Sequence, residues 1–338
     1  PGFGYNPDDG FKLGIQSSFI TNGFKRNPFT SKHVFAAGYY FATKGYDLNY
    51  QGEFALILGN FNLAVGAHLT SANFANNFFG FGNETQNFDD VLDFDYNRTK
   101  LSRIGGEFGF VRKSPFGSYF GYMASFETVE VDRTKDRFLV EEFNPEDPDF
   151  FERKYFAGLE GTYRYESYDN KLNPSRGMKF EMILGGKLNA EETSRKYGYF
   201  KPYLEFYNAI SQNRKLVLNS RVQAQLNMGD GYEFYQAAIL GGNTGLRGYR
   251  LQRFSGKSAF AAGGDLRYSF DRFKTSFLPF QIGVFGGYDI GRVWTPGEDS
   301  NVWHDNYGGG IWINSAEAIT GKFSLFGSEE GLRFSFNF

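Results

Sequence analysis

Apolar and polar residues alternate with a period of two along most of the chain. In the last segment, GLRFSFNF, Leu332, Phe334, Phe336 and Phe338 share one face, and Arg333, Ser335 and Asn337 share the other. In KLVLNSRVQAQL, Leu218, Val222, Ala224 and Leu226 alternate with Asn219, Arg221, Gln223 and Gln225. In FAGLEGTYRYE, Leu159, Tyr163 and Tyr165 alternate with Glu160, Thr162 and Arg164. In FAAGGDLRYSF, Leu266, Tyr268 and Phe270 alternate with Asp265, Arg267 and Ser269. This period belongs to strands whose two faces meet different surroundings. It predicts sixteen strands, near 1–6, 10–21, 31–43, 46–58, 61–72, 96–111, 117–131, 155–167, 177–188, 199–211, 214–227, 257–270, 276–294, 306–314, 320–326 and 329–338.

An even strand number suits a closed antiparallel barrel with both ends on one side of a membrane. Tight connections are expected near 113–118, 169–177 and 211–215, and long ones near 73–95, 132–154, 228–256 and 295–305. The long set is expected outside the cell and the tight set in the periplasm. The first strand is expected to be short, because only PGFGYN precedes the turn NPDDG. A clipped beginning or a weak seam between first and last strands would each account for that.

A soluble sandwich also alternates. Two features favour a membrane. The polar face carries charges of both signs in strand after strand, as a hydrated lumen requires. The apolar face is rich in Phe and Tyr, as a lipid band with aromatic girdles requires. Composition sharpens this. A chain of 338 residues would suggest two soluble domains, but 41 Phe and 22 Tyr coexist with a mean hydropathy of −0.45. A soluble fold could not easily hide so many rings while staying so polar. No segment reaches the roughly 18 consecutive apolar residues of a helical span. We therefore expect an all-β protein: one 16-stranded antiparallel transmembrane β-barrel domain over residues 1–338, with any upstream domain or secretion signal outside this chain. The net charge of −2 gives no reason to expect nucleic acid, and the absence of cysteine removes disulfides and thiol chemistry.

The loop after the eleventh strand reads LGGNTGLRGYRLQRFSG, and its core is Leu246, Arg247, Gly248 and Tyr249. This core resembles the loop signature of the BamA/TamA outer-membrane assembly superfamily, the bacterial surface antigen type. Further on, GVFGGYDIGRVW is similar to the Phe-x-Asp-x-Gly strand motif of that superfamily. Asp289 and Gly291 match, Tyr288 and Trp294 suit the aromatic places around them, and Gly287 stands where the motif has Phe. DNKLNPSRG resembles the family's Asn-Pro-x-Arg-Gly turn, and Asp265, Leu266 and Arg267 resemble its acidic-Leu-Arg pattern. Phe334, Phe336 and the final Phe338 look like the C-terminal sorting signal of such barrels.

The resemblance implies that the long external loop folds into the lumen, where Arg247 reaches the inward acids Asp289 and Asp265. It implies a bacterial outer-membrane location, among lipid and lipopolysaccharide. It implies a role in inserting, assembling or translocating polypeptides through a weak seam between first and last strands. Its partners would be unfolded outer-membrane proteins or accessory lipoproteins. Two rivals stay open: a membrane anchor for an upstream envelope enzyme of patatin-like or metallophosphoesterase type, and a diffusion pore. The abundance of Phe, Tyr and Asn resembles envelope proteins of Bacteroidota.

No catalytic constellation is expected. Gly-x-Ser-x-Gly and HExxH are absent, and His33, His68 and His304 are far apart. His68 is expected to face the lumen, His33 to lie near a turn and His304 in an external loop. No cofactor or metal is expected. FFGFGNET at 78–85 resembles a recurring loop motif of relatives with N-terminal enzymes, and the acidic run at 141–150 reads as a solvated loop. Glu160, Arg164, Lys179, Glu181, Arg221 and Arg267 are expected to form cross-strand networks on the lumen wall.

Overall fold

The computed structural model describes all residues except 1, 24, 25, 75, 144, 146, 148, 275–278, 316–318 and 338, and the backbone alone of 6, 26–28 and 319. Sixteen strands form the barrel wall: β1 Gly2–Asn6, β2 Gly10–Gly23, β3 Arg26–Tyr40, β4 Gly45–Leu58, β5 Phe61–Thr70, β6 Leu101–Lys113, β7 Ser118–Val131 and β8 Lys154–Glu166. The wall continues with β9 Gly177–Asn189, β10 Lys196–Ala209, β11 Leu216–Met228, β12 Ser258–Ser269, β13 Phe280–Trp294, β14 His304–Ser315, β15 Ile319–Ser328 and β16 Gly331–Asn337. Each strand pairs antiparallel with its sequence neighbour, and β1 pairs with β16 to close the barrel. Closure removes the free sheet edges that lipid cannot solvate.

Pattern and wall agree in register. Leu159, Leu184, Val222, Leu266 and Phe334 lie exposed on the outside, with Leu159 at 71%. Their alternating neighbours turn inward and pair across strands. Arg164 bonds Glu181 and Tyr199 donates to Glu160 at 2.8 Å, while Lys179 lies 3.9 Å from Glu181 on its own strand. The reason for the alternation is physical: apolar groups meet lipid at no cost, while charged groups need partners or water.

Several bounds differ from the sequence expectation. The sixth wall strand begins at Leu101 rather than near 96, because Arg98–Thr99 leaves the wall to pair with Asn76–Asn77. β3 starts at Arg26 rather than near 31, so His33 lies well inside a strand and not near a turn. Its ring bonds the Tyr50 hydroxyl at 3.0 Å. His304 is also corrected: it opens β14 rather than sitting in the loop, and it stacks on Phe254 at 3.7 Å. Phe338 lies outside the described residues.

In an up-and-down barrel, successive connections alternate between the two ends. The fifth, seventh, eleventh and thirteenth connections, at 71–100, 132–153, 229–257 and 295–303, therefore share one end, which we term the loop end. There, Phe78, Leu139, Phe150 and Phe234 from three different connections pack with Leu101, Val129, Val131 and Phe156 from the strand ends. This apolar core gives the long connections a fixed shape.

At the opposite end, the turn at 167–176 is organised by one carboxylate. Asp169 accepts from the Ser175 hydroxyl at 2.5 Å and from the amides of Ser175, Arg176 and Asn170 at 2.8, 3.1 and 2.9 Å. Partial burial opposes ionisation, but the Ser175 hydroxyl and these amides outweigh it and hold the carboxyl below its ordinary value. A depressed value stabilises the folded turn above the unfolded aspartate pKa of about 3.9, and that contribution is lost as pH falls through the lower folded value. Hydrogen-exchange protection at Ser175 and Arg176 is therefore expected to drop on acidification through that range. In Asp169→Ala, protection should be low already at neutral pH and show no acid step.

Candidate functional site

The site is built where the eleventh connection meets the inner faces of β11, β12 and β13. A short ladder, Ala238–Leu240 with Phe254–Gly256, draws the two limbs of the connection together. Gly241 turns the chain at φ 123°, a left-handed value that side chains other than glycine resist. Gly241 and Thr244 then exchange backbone bonds at 3.1 and 3.2 Å. Leu246, fully buried, packs with Leu240, Tyr249 and Phe254 against Ala259, Ala261 and Val293 of the wall. Apolar burial therefore seats the segment, and its polar groups are placed by that seat.

Arg247 points from this seat to two wall carboxylates. Its Nε donates to Asp289 Oδ2 at 2.7 Å and its Nη2 to Asp289 Oδ1 at 2.9 Å, a bidentate fork. The same Nη2 lies 2.7 Å from Asp265 Oδ1. Arg221 supplies a second guanidinium, which bonds Asp289 and lies 3.4 Å from Asp265. Two cations thus face two anions, and Asp289 has no solvent exposure at all. A buried carboxylate persists as an ion only with such partners. The Phe326 ring covers the Arg247 guanidinium at 3.9 Å, a cation–π contact that also excludes water.

The strand register explains why these groups can meet. Arg221, Gly263 and Asp289 lie in one row across β11, β12 and β13, and Asn219, Asp265 and Gly287 lie in the next. A side chain at Gly263 would collide with the Asp289 carboxylate, so its absence lets Arg221 reach across. A Cβ at Gly287 would collide with Asp265 and stand 2.7 Å from Arg247 Nη2. In this chain the space beside position 287 is therefore taken by the ion pair. The aromatic cover comes instead from Phe326, which packs on Phe285 at 6.4 Å.

The rest of the loop core is also tied down. Gly248 N donates to Asn306 Oδ1 at 3.1 Å, and its carbonyl accepts from Ser328 Oγ at 2.9 Å. The buried Tyr249 hydroxyl donates to the Asp305 carbonyl at 3.3 Å and reaches Glu329 at 3.4 Å. Burial, with Glu329 beside it, pushes this phenol up, so it stays a donor.

The remaining predicted residues divide. Gly291 lies against Leu240 and Ala261 and admits the loop's apolar seat. Tyr288 and Trp294 are on the exterior, about half exposed, and Trp294 packs edge-on to Trp303. Phe334 is exterior and 6.0 Å from Tyr5, and Phe336 stacks on Phe323 at 4.3 Å. Neither group touches the Arg247 cluster. Sequence reasoning missed Arg250, Arg253 and Asn83. Asn83 bonds the backbone of Val293 twice, at 2.9 and 3.0 Å, which joins FFGFGNET to the end of β13. The signal for the arginines was their spacing of three after Arg247. No group of three or more potential metal ligands exists among the described residues.

No curated protein matches the chain in sequence. Its fold is similar to that of BamA from Haemophilus ducreyi lacking POTRA domains 1–3, at a TM-score of 0.72 and 13% identity, with 99% of this chain and 69% of that one covered. It is also similar to CdiB from Escherichia coli, at a TM-score of 0.63 and 10% identity, covering 99% of this chain and 62% of that one. CdiB from Acinetobacter baumannii aligns at a TM-score of 0.55 and 10% identity, with 58% of that chain covered. At these identities the likeness is one of fold, and both CdiB chains are longer than the barrel shared here. The Omp85 superfamily domain matches residues 70–325, most of the chain. This chain therefore belongs to the Omp85 superfamily and is a β-barrel of the bacterial outer membrane.

Proposed function

We propose that this barrel inserts or translocates polypeptides at the outer membrane without catalysis, using the seam between β1 and β16 as the place where a client strand pairs. One observation carries the reading. Among the described residues the seam holds two register pairs, Gly4 with Asn337 and Tyr5 with Phe336, whereas β6 and β7 share thirteen. Toward the loop end β1 stops one residue later, at Asn6, which does not pair with Ser335, and Gly331–Ser335 have no register partner in β1. An unpaired strand edge is a template for another strand. In this reading the eleventh connection closes the lumen, with Arg247 as its anchor and Asp289 and Asp265 as the receiving acids. The C-terminal aromatics Phe334, Phe336 and Phe338 act as the sorting signal for the barrel's own assembly.

The test exploits the absence of native cysteine. Tyr5→Cys with Phe336→Cys places two thiols at facing seam positions. Proteoliposomes carrying the oxidised variant should not promote insertion of an unfolded outer-membrane barrel, and reduction should restore it. Equal promotion in both states would rule out a working seam.

A further inference from the structure

Three arginines at a spacing of three, Arg247, Arg250 and Arg253, follow Leu246. Only the first faces the Asp265–Asp289 pair. Arg250 has no solvent exposure and turns toward the first hairpin. Its guanidinium lies 2.7 Å from Asp8, in the turn between β1 and β2, and 2.6 Å from Asp89. It also bonds the Phe94 carbonyl at 2.8 Å and sits 3.8 Å from the Phe94 ring. The backbone of Leu251 adds a bond to Asp8 at 3.1 Å, and Asn77 adds another at 2.9 Å. The first hairpin is thus held at its tip by the eleventh connection.

The same segment holds the last hairpin. Arg253 bonds Glu330, and Tyr249 reaches Glu329, both in the turn between β15 and β16. Ser328 donates to the Gly248 carbonyl. Arg333 of β16 lies 3.3 Å from Asp89, the acid that Arg250 also holds. Both edges of the seam are therefore fastened to residues 248–253 at the loop end, where the two strands share no direct pairs.

We propose that residues 248–253 form a clasp across the seam, with Arg250 and Arg253 as positioning residues that set the separation of the first and last hairpins. The seam widens at the loop end when either arginine lets go. The relative strengths decide this. Two register pairs make only a short ladder, whereas separating a fully buried guanidinium from two carboxylates leaves uncompensated charge. The clasp, rather than the short ladder, governs opening. This holds whatever the client is, so the inference does not depend on the insertion reading.

The test reads geometry in the absence of a client. Spin labels at Phe11→Cys and Leu332→Cys, both exterior positions flanking the seam, report its width in bilayers. A second pair at Phe108→Cys and Tyr122→Cys, on neighbouring strands away from the seam, reports the intact wall. The parent should give one narrow seam distance. Arg250→Met and Glu330→Gln should each broaden it and shift it to longer values, Arg250→Lys should restore it in part, and the wall pair should not move. Should Arg250→Met fail to assemble, Glu330→Gln and Arg253→Gln at the rim of the clasp decide the matter. An unchanged seam distance in the folded variants, with an intact wall pair, would overturn the clasp.

Discussion

Arg247→Ala is expected to lower the heat resistance of the folded barrel and expose residues 229–256 to protease. The physical ground is charge balance. Arg247 and Arg221 together neutralise Asp265 and Asp289, and both acids are almost wholly buried. Removing one partner of a buried pair costs about 3–5 kcal/mol. Arg221 remains against both acids, so the lower end of that range applies. Arg247→Lys should recover only part of the loss, because an ammonium cannot span Asp289 in a bidentate fork or lie flat on Phe326. Seminative electrophoresis across a temperature series and limited proteolysis give the two readouts. Unchanged protease sensitivity together with unchanged heat resistance would remove Arg247 as the anchor of the loop.

Gly287→Phe is expected to be at least as damaging, although it installs the residue type found in the resembled motif. The ring would have to occupy space held by the Asp265 carboxylate and Arg247 Nη2. Overpacking alone costs about 1–3 kcal/mol, and here it also separates charged partners. The variant should therefore lose about 3 kcal/mol or more. In combination with Arg247→Ala the losses should not add, because both disrupt one cluster. Gly287→Ala should show a smaller effect in the same direction. Heat resistance equal to the parent in Gly287→Phe would mean that the cluster can rearrange, and the steric account of the glycine would fall.

The wall was legible in the sequence and the loop end largely was not, for a physical reason. Each wall residue must face either lipid or interior, so the choice is written locally at every second position, as in Leu266 beside Asp265 and Arg267. Parity alone placed Asp265 and Asp289 on one inner face. It did not identify Arg221 as the second cation, because that depends on Gly263 lying between Arg221 and Asp289 in the register. Contacts between distant connections left no local trace. Asn83 meets Val293, Arg250 meets Asp8, and Phe78 packs on Phe234, and nothing periodic links these positions. His33 and His304 were misplaced because strand ends are set by pairing partners rather than by the residues themselves.

In the proposed reading the eleventh connection closes the lumen and Arg247 holds it there. Single-channel conductance in planar bilayers tests it most directly, comparing the parent, Arg247→Ala and a deletion of residues 241–252. The expected result is low, flickering conductance in the parent, more frequent openings in Arg247→Ala, and a large, steady conductance in the deletion. A large, steady conductance in the parent, unchanged by the deletion, would contradict it and identify the barrel as an open diffusion pore.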